Sequence, residues 1–317
     1  MKLKEIGEFG LIGRLKKDPE SGRVIKGIGD DCAAVKDGNK ILLYTADMMV
    51  EGSHFIKAWH PPEKLGRKLI CSNLSDIAAM GGTPEYALIS LGAPPDEDVE
   101  YIEGIYRGIY GMAGRYGIDV IGGDTVESPL LILSMTMSGI IDENNISLRS
   151  DAKIGDYILV SGPLGGSKAG LELLKNGYDS PKGAIEKHLD PGCRTDISRK
   201  IAPFINAMID ISDGLASDLR HICEESGVGA IIEKDKIPID EDTRRAAEIL
   251  NSDPYDFALH GGEDYELLFT VSEENLDKVR GYGTVIGRIA GKAVGIKMRD
   301  EDGKLVEIKD GYEHFRE

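Results

Sequence analysis

The chain is poor in the features that mark most specialised classes of protein. Its 317 residues include four cysteines, Cys32, Cys71, Cys193 and Cys223, and no Cys-x-x-Cys pair. That spacing fits neither a zinc ligand set nor a dithiol redox motif, and a disulfide framework is not expected in a chain this long. The cysteines read as reduced thiols in a cytoplasmic protein. No apolar run is long enough to span a bilayer: the longest, Leu130 to Ile141, is broken by Ser134, Thr136, Ser138 and Gly139. The N-terminus, Met1-Lys2-Leu3-Lys4-Glu5-Ile6-Gly7, lacks the apolar core of a signal peptide. Basic charge is also scarce. The 38 Lys and Arg face 55 Asp and Glu, and the net charge of −17 argues against a nucleic-acid or anionic-membrane surface.

What is present favours two domains, each with its own core, given the length and 41% hydrophobic residues. Strand and helix patterns alternate in both halves, which predicts an α/β (α+β) fold with a mixed sheet and helices in each domain. Residues 40–46 read as a buried strand that delivers Asp47 at its end, followed by a loop carrying His54. Pro61-Pro62 opens a helix with Leu65, Leu69, Ile70, Leu74 and Ile77 at helical spacing, stopping at Gly81-Gly82. A strand over 85–92 and an acid-led helix with Val99, Ile102, Tyr106, Ile109 and Ala113 come next. A short strand, Ile118 to Ile121, ends in Gly122-Gly123-Asp124-Thr125. The polar segment from Asp142 to Ile154 holds the domain boundary, giving units 1–145 and 146–317. The second unit reads as strand 157–161, helix 167–175, strand 206–211, a helix capped by Asp213, strand 229–233, helix 240–250 and strands over 266–271, 283–289 and 293–298.

The chemistry is concentrated in acids. Gly27-Ile28-Gly29-Asp30-Asp31, Thr45-Ala46-Asp47, Leu74-Ser75-Asp76, Gly122-Gly123-Asp124, Asp210-Ile211-Ser212-Asp213 and Gly261-Gly262-Glu263-Asp264 repeat one theme. Each alone is an ordinary turn or cap. Together, at predicted strand ends that converge on one sheet edge, so many carboxylates would repel unless a cation met them. Magnesium suits an all-oxygen set shared with substrate phosphates. Zinc is disfavoured because no His or Cys lies at ligand spacing near these acids. Asp76, in the last turn of its helix, is disfavoured there by the dipole, so a cation partner is the economical account. Gly162-Pro163-Leu164-Gly165-Gly166-Ser167-Lys168-Ala169 imitates a P-loop but has Ser before the Lys and Ala after it, and it reads as a structural turn. His188, His221 and His260 read as surface or packing residues, whereas His54 is placed to face the acids.

These motifs, with Val50-Glu-Gly-Ser-His-Phe55, Asn73-Leu-Ser-Asp-Ile-Ala-Ala-Met-Gly-Gly82, Gly261-Gly-Glu-Asp-Tyr-Glu-Leu267 and the Gly311-Tyr-Glu-His-Phe315 ending, resemble the thiamine-monophosphate kinase family. That family lies within the aminoimidazole ribonucleotide synthetase-like group of ATP-using enzymes. The resemblance implies that group's two-domain fold, a homodimer pairing the N-terminal sheets, and ATP-dependent phosphorylation of thiamine monophosphate to thiamine diphosphate. The first unit would then bind ATP and magnesium and form the dimer, and the second would complete the active site. Carried over by motif position, Asp30, Thr45, Asp47, Asp76, Asp124, Asp210 and Asp213 would hold several magnesium ions, with Asp30 rather than Asp31 as the ligand. Tyr106, Gly123, Asp124, Arg149 and Ser212 would contact ATP. His54, Glu263 and Tyr312 would contact thiamine monophosphate. Ala46 and Tyr312 depart from the family pattern, which often has Ser or Thr and Trp there. No residue is needed as a general base, since a phosphomonoester's second pKa is about 6 and the acceptor oxygen is already ionised.

Relatives in the same group fit less well. Selenophosphate synthetase carries a reactive Cys or selenocysteine near its N-terminus, and the hydrogenase maturation factor ends in a cysteine. Here the first twenty residues hold no Cys, and the sequence ends His314-Phe315-Arg316-Glu317. A catalytically silent binding module is the alternative of a different class, disfavoured by the full acid set.

Overall fold

The computed structural model describes residues 1–308, so Tyr312 and the Gly311 to Phe315 ending lie outside the described residues. The first unit comprises helix α1 (Leu3–Leu15), strands β1 (Val24–Lys26), β2 (Ala33–Asp37) and β3 (Lys40–Val50), helix α2 (Pro62–Ala79), β4 (Thr83–Ala93), α3 (Val99–Tyr116), β5 (Asp119–Glu127) and β6 (Ile132–Asp142). Its six-stranded sheet runs β1-β2-β3-β6-β4-β5. Only the β4–β5 pair is parallel. Alternation sets the faces, as period two requires. In β3, Ile41, Leu43, Thr45 and Met49 are buried, while Tyr44, Ala46 and Met48 are exposed on the other face.

The second unit follows as β7 (Tyr157–Val160), α4 (Gly166–Lys175), α5 (Lys182–Leu189), α6 (Thr195–Ile201), β8 (Met208–Asp210), α7 (Leu215–Ser226), β9 (Val228–Glu233), α8 (Glu241–Leu250), α9 (Pro254–His260), β10 (Leu267–Val271), α10 (Leu276–Val279), β11 (Thr284–Gly291), β12 (Ile296–Arg299) and β13 (Leu305–Glu307). Its seven-stranded sheet runs β13-β12-β9-β11-β7-β10-β8, with β12–β9 parallel. Each unit is thus a mixed sheet with helices.

Helix α2 joins the two. Pro62 fills its first turn, where a missing N–H costs nothing. Its apolar positions pack on α3, β3 and β6 of the first unit, and it also meets β8 and α6 of the second. Thirteen of its residues are buried, among them the polar Lys68, Ser72, Asn73 and Ser75.

Three expectations change. Strand β3 does not end at Asp47; pairing continues to Val50, with Asp47 opposite Met135. Strand β5 likewise runs through the glycines to Glu127, with Asp124 beside Ser90. The Gly122-Gly123 pair is a close approach within a strand, not a stop: a Cβ at Gly123 would lie 1.7 Å from the Ile89 carbonyl oxygen. Helix α7 is preceded by Gly214, at φ 102, and not capped by the Asp213 side chain.

Candidate functional site

Asp76 sits in the last turn of α2, and Thr45 on β3 donates its hydroxyl to Asp76 Oδ2. Asp210 ends β8, and Ser75 Oγ donates to its Oδ2 at 2.6 Å. Carboxylate oxygens of Asp31, Asp76 and Asp210 all lie within 4.8 Å of one another. Asp47 approaches from β3, hydrogen-bonded to Ser72. Burial pushes Asp76 well above the usual carboxylate range, and Asp47, Asp210 and Asp31 push it further. Burial followed by Asp31 does the same to Asp210, whose Oδ1 is buried with no partner. Acids held this way are short of a cation. An all-oxygen set with an orphaned buried oxygen fits a hard divalent ion such as magnesium.

The geometry selects Asp31 for this trio. Asp30 turns instead towards Lys26 Nζ and Arg149 Nε, each at 3.7 Å, with burial and then Asp31 pushing it up to about 7. Arg149 pairs with Asp31 at 2.6 Å. Burial lowers that guanidinium, but Asp31 and Asp30 outweigh it and hold it above its ordinary value. Asp213 lies in a second group, with ligand atoms of Asp213, Asp218 and His221 within 4.8 Å of one another. A histidine does therefore approach the acids; Asp218 and His221 are three apart on α7, a spacing that puts both on one face.

One cavity of about 570 Å³ unites much of this set. Its lining includes Asp47, Asp76, Asp210, Ser212 and Asp213, and also His54 and Glu263. His54 Nδ1 accepts from the Val50 N–H at 3.1 Å, which leaves the ring proton on Nε2. Tyr106 and Asp124 are not in that lining. Tyr106 makes a tilted ring contact with Tyr110 along α3, centroids 6.1 Å apart, and Asp124 lies exposed on the first sheet in the cross-strand row of Ser90, Ser134 and Met48.

The partners of Glu263 show what the sequence reading missed. Glu263 sits at φ 63, next to Gly262, where a Cβ would lie 2.3 Å from the Ser212 carbonyl oxygen. The tight approach lets Glu263 N–H donate to that same oxygen at 2.8 Å. Lys68, wholly buried on α2, donates to Glu263 Oε2 at 2.8 Å, and His188 Nδ1 lies 3.5 Å from the same atom. Burial alone would raise the carboxyl, but Lys68 and then His188 hold it well below the usual carboxylate range. Lys68, Ser72 and Asp76 fall at i, i+4 and i+8, so one stripe of α2 faces the site. That spacing was the available clue. His188 is therefore more than a packing residue.

The P-loop imitation is filled from within. Asp264 accepts from Gly165 N–H at 2.6 Å and Ser167 N–H at 3.2 Å, placing a carboxylate where an anion would sit. The turn read as structural from the sequence nevertheless brings Ser167 and Lys168 to the lining of the same cavity.

Residues 29–141 match the model of the AIR synthase related protein N-terminal domain, and residues 153–297 match its C-terminal domain. The fold and the acid-lined cavity thus define an AIR synthase related protein. Within that class, the chain is 41% identical over 320 residues to the thiamine-monophosphate kinase of Aquifex aeolicus, covering 99% of this chain and 100% of that one. It is 38% identical over 326 residues to the thiamine-monophosphate kinase of Buchnera aphidicola from Acyrthosiphon pisum, covering 97% and 98%. The solved structure of AaThiL complexed with AMPPCP and TMP superposes with a TM-score of 0.89 at 39% identity, covering 99% of both chains. The chain belongs to the thiamine-monophosphate kinase family.

Proposed function

We propose that this enzyme transfers the γ-phosphoryl group of ATP directly, in line, to the phosphate of thiamine monophosphate. The bond from the γ-phosphorus to the ADP oxygen breaks as one forms to the acceptor oxygen, giving thiamine diphosphate and ADP. The observation that carries this reading is the single cavity that joins an acid cluster to the His54 and Glu263 wall. Asp30, Thr45, Asp47, Asp76, Asp124, Asp210 and Asp213, with Asp31 added on geometry, are the residues that would hold magnesium. Several magnesium ions, when bound, supply neutralisation of the phosphates and of the charge that develops between them. The chain's own work is positioning. Arg149, Ser212, Gly123 and Tyr106 address ATP. Glu263, held as a carboxylate, suits a cationic thiazolium or the amino group of the neighbouring pyrimidine, and His54 stands in the wall of the same cavity. No side chain need remove a proton from the acceptor.

We further propose a cytoplasmic homodimer built on the open face of the first sheet. Tyr44, Met48, Tyr86 and Leu88 are exposed there at 42–55%, an apolar surface that a monomer seldom leaves uncovered. Asp124 belongs to the same face, so pairing of two sheets would enclose it. Residues 1–145 then carry most of the metal ligands, part of the ATP site and the dimer face, and 146–317 complete the site with Arg149, Asp210, Ser212 and Asp213. No helix among the described residues is long and apolar enough to cross a membrane. The test is incubation with Mg-ATP and thiamine monophosphate, followed by mass spectrometry. Thiamine diphosphate with ADP is expected; ADP alone points to another acceptor, and a phosphoenzyme overturns direct transfer.

A further inference from the structure

Lys68 is among the largest side chains fully buried in the molecule, and burying an ammonium is costly unless a specific partner repays it. Its partner comes from the other unit. Lys68 lies on α2, and Glu263 lies on the segment between α9 and β10. Both contacts on the carboxylate, Lys68 at 2.8 Å and His188 at 3.5 Å, fall on Oε2. No hydrogen bond or ion pair reaches Oε1 among the described residues, while the side chain remains 25% exposed and lines the cavity.

Resting on the kinase reading above, we propose that Lys68 is the positioning residue for thiamine monophosphate: it clamps Glu263 Oε2 so that Oε1 faces the cavity as an acceptor for the substrate's cationic, amino-bearing rings. Two features favour Lys68 over His188 as the clamp. Lys68 makes the shorter contact, and burial together with Lys68 holds the His188 ring below its ordinary pKa, so the balancing charge is the lysine's. The groups that face Glu263 are Lys68 from α2, His188 from α5, His60 from the segment before α2, and Tyr265 beside it. Asp264, next in sequence, is committed to the Gly165 and Ser167 N–H groups.

The experiment is steady-state kinetics with Mg-ATP and thiamine monophosphate, from about pH 6 to about pH 9, on wild type, Lys68→Met, Glu263→Gln and the double variant. Lys68→Met is expected to raise KM for thiamine monophosphate about tenfold or more at the acid end, with KM for ATP changed less than about twofold. The loss should shrink as pH rises, because a carboxyl without its lysine needs higher pH to ionise. The double variant should match Glu263→Gln alone, since Lys68 acts through Glu263. Parallel rises in both KM values with a flat pH profile mean a purely structural lysine and overturn the proposal. If Lys68→Met does not fold, the double variant, free of both charges, decides: a KM above that of Glu263→Gln overturns the proposal. Wild-type turnover with an unmoved KM in Lys68→Met overturns it alone. A wild type inactive on thiamine monophosphate overturns the kinase reading and this proposal with it.

Discussion

Two turns of α2 separate two treatments of buried acid. At Asp76 the carboxylates of Asp31, Asp47 and Asp210 gather, and burial and mutual repulsion drive Asp76 upward. About 12 Å along the helix, at Lys68, Glu263 is also withdrawn from most solvent, yet it is held well below the usual range. Desolvation acts the same way on both. The partner decides the sign: acids at one end, an ammonium at the other. The paired end has its counter-charge in place within the chain, whereas the acid end, on the proposed reading, takes its counter-charge from a bound cation.

The largest expected effect lies at the acid end. Asp210→Asn should lower kcat/KM on the order of a hundred- to a thousandfold while leaving the metal-free protein as stable as before or more so, because a repulsive carboxylate is gone. Full activity at limiting magnesium would end the metal-clamp account. At the paired end the same kind of change should act oppositely on stability. Glu263→Ala strands Lys68 without a partner and is expected to cost about 3 kcal/mol, read by urea denaturation; an unchanged midpoint would mean that water replaces the carboxylate.

A smaller effect separates the ends by pH. The carboxyls of Asp30 and Asp264 are raised from 3.8 to about 7 in the folded chain, first by burial. Between those values the native state holds more protons than the unfolded one, so this stability is present at low pH and lost as pH rises through about 7. The Tm in EDTA should therefore fall from pH 6 to pH 8, two points chosen at about one unit either side of that pKa. Magnesium competes with protons, so it should raise Tm more at the higher pH. A flat or rising Tm in EDTA would contradict the burial argument. The smallest effect concerns Asp264 alone. Asp264→Asn keeps an acceptor for Gly165 and Ser167 and should cost about 1 kcal/mol or less, measured by thermal melting, while reducing the pH slope.

Much of the frame was legible because period and punctuation reveal it. Pro62, the apolar spacing of α2 and the alternation in β3 announced their elements. The ends of β3 and β5 were misread because an acid or a glycine pair looks like a stop, while pairing with β6 and β4 continued through them. The acid motifs were visible as a set, but which of Asp30 and Asp31 turns inward depends on Arg149 and Lys26, brought from elsewhere. Lys68 was hidden for a general reason. A lysine on an amphipathic helix reads as a solvated face, and only the second unit's packing against α2 removes the solvent. His188 and Asp218 were obscured in the same way.

That packing has a consequence for how the molecule comes apart. Helix α2 carries apolar side chains for one unit and buried polar ones, Lys68 and Ser75, whose partners belong to the other. Separating the units would leave an ammonium and a hydroxyl unpaired within a largely apolar surface. The two halves are therefore thermodynamically one: they should melt in a single calorimetric transition, although their sheets are separate and their sequences match two distinct domain models.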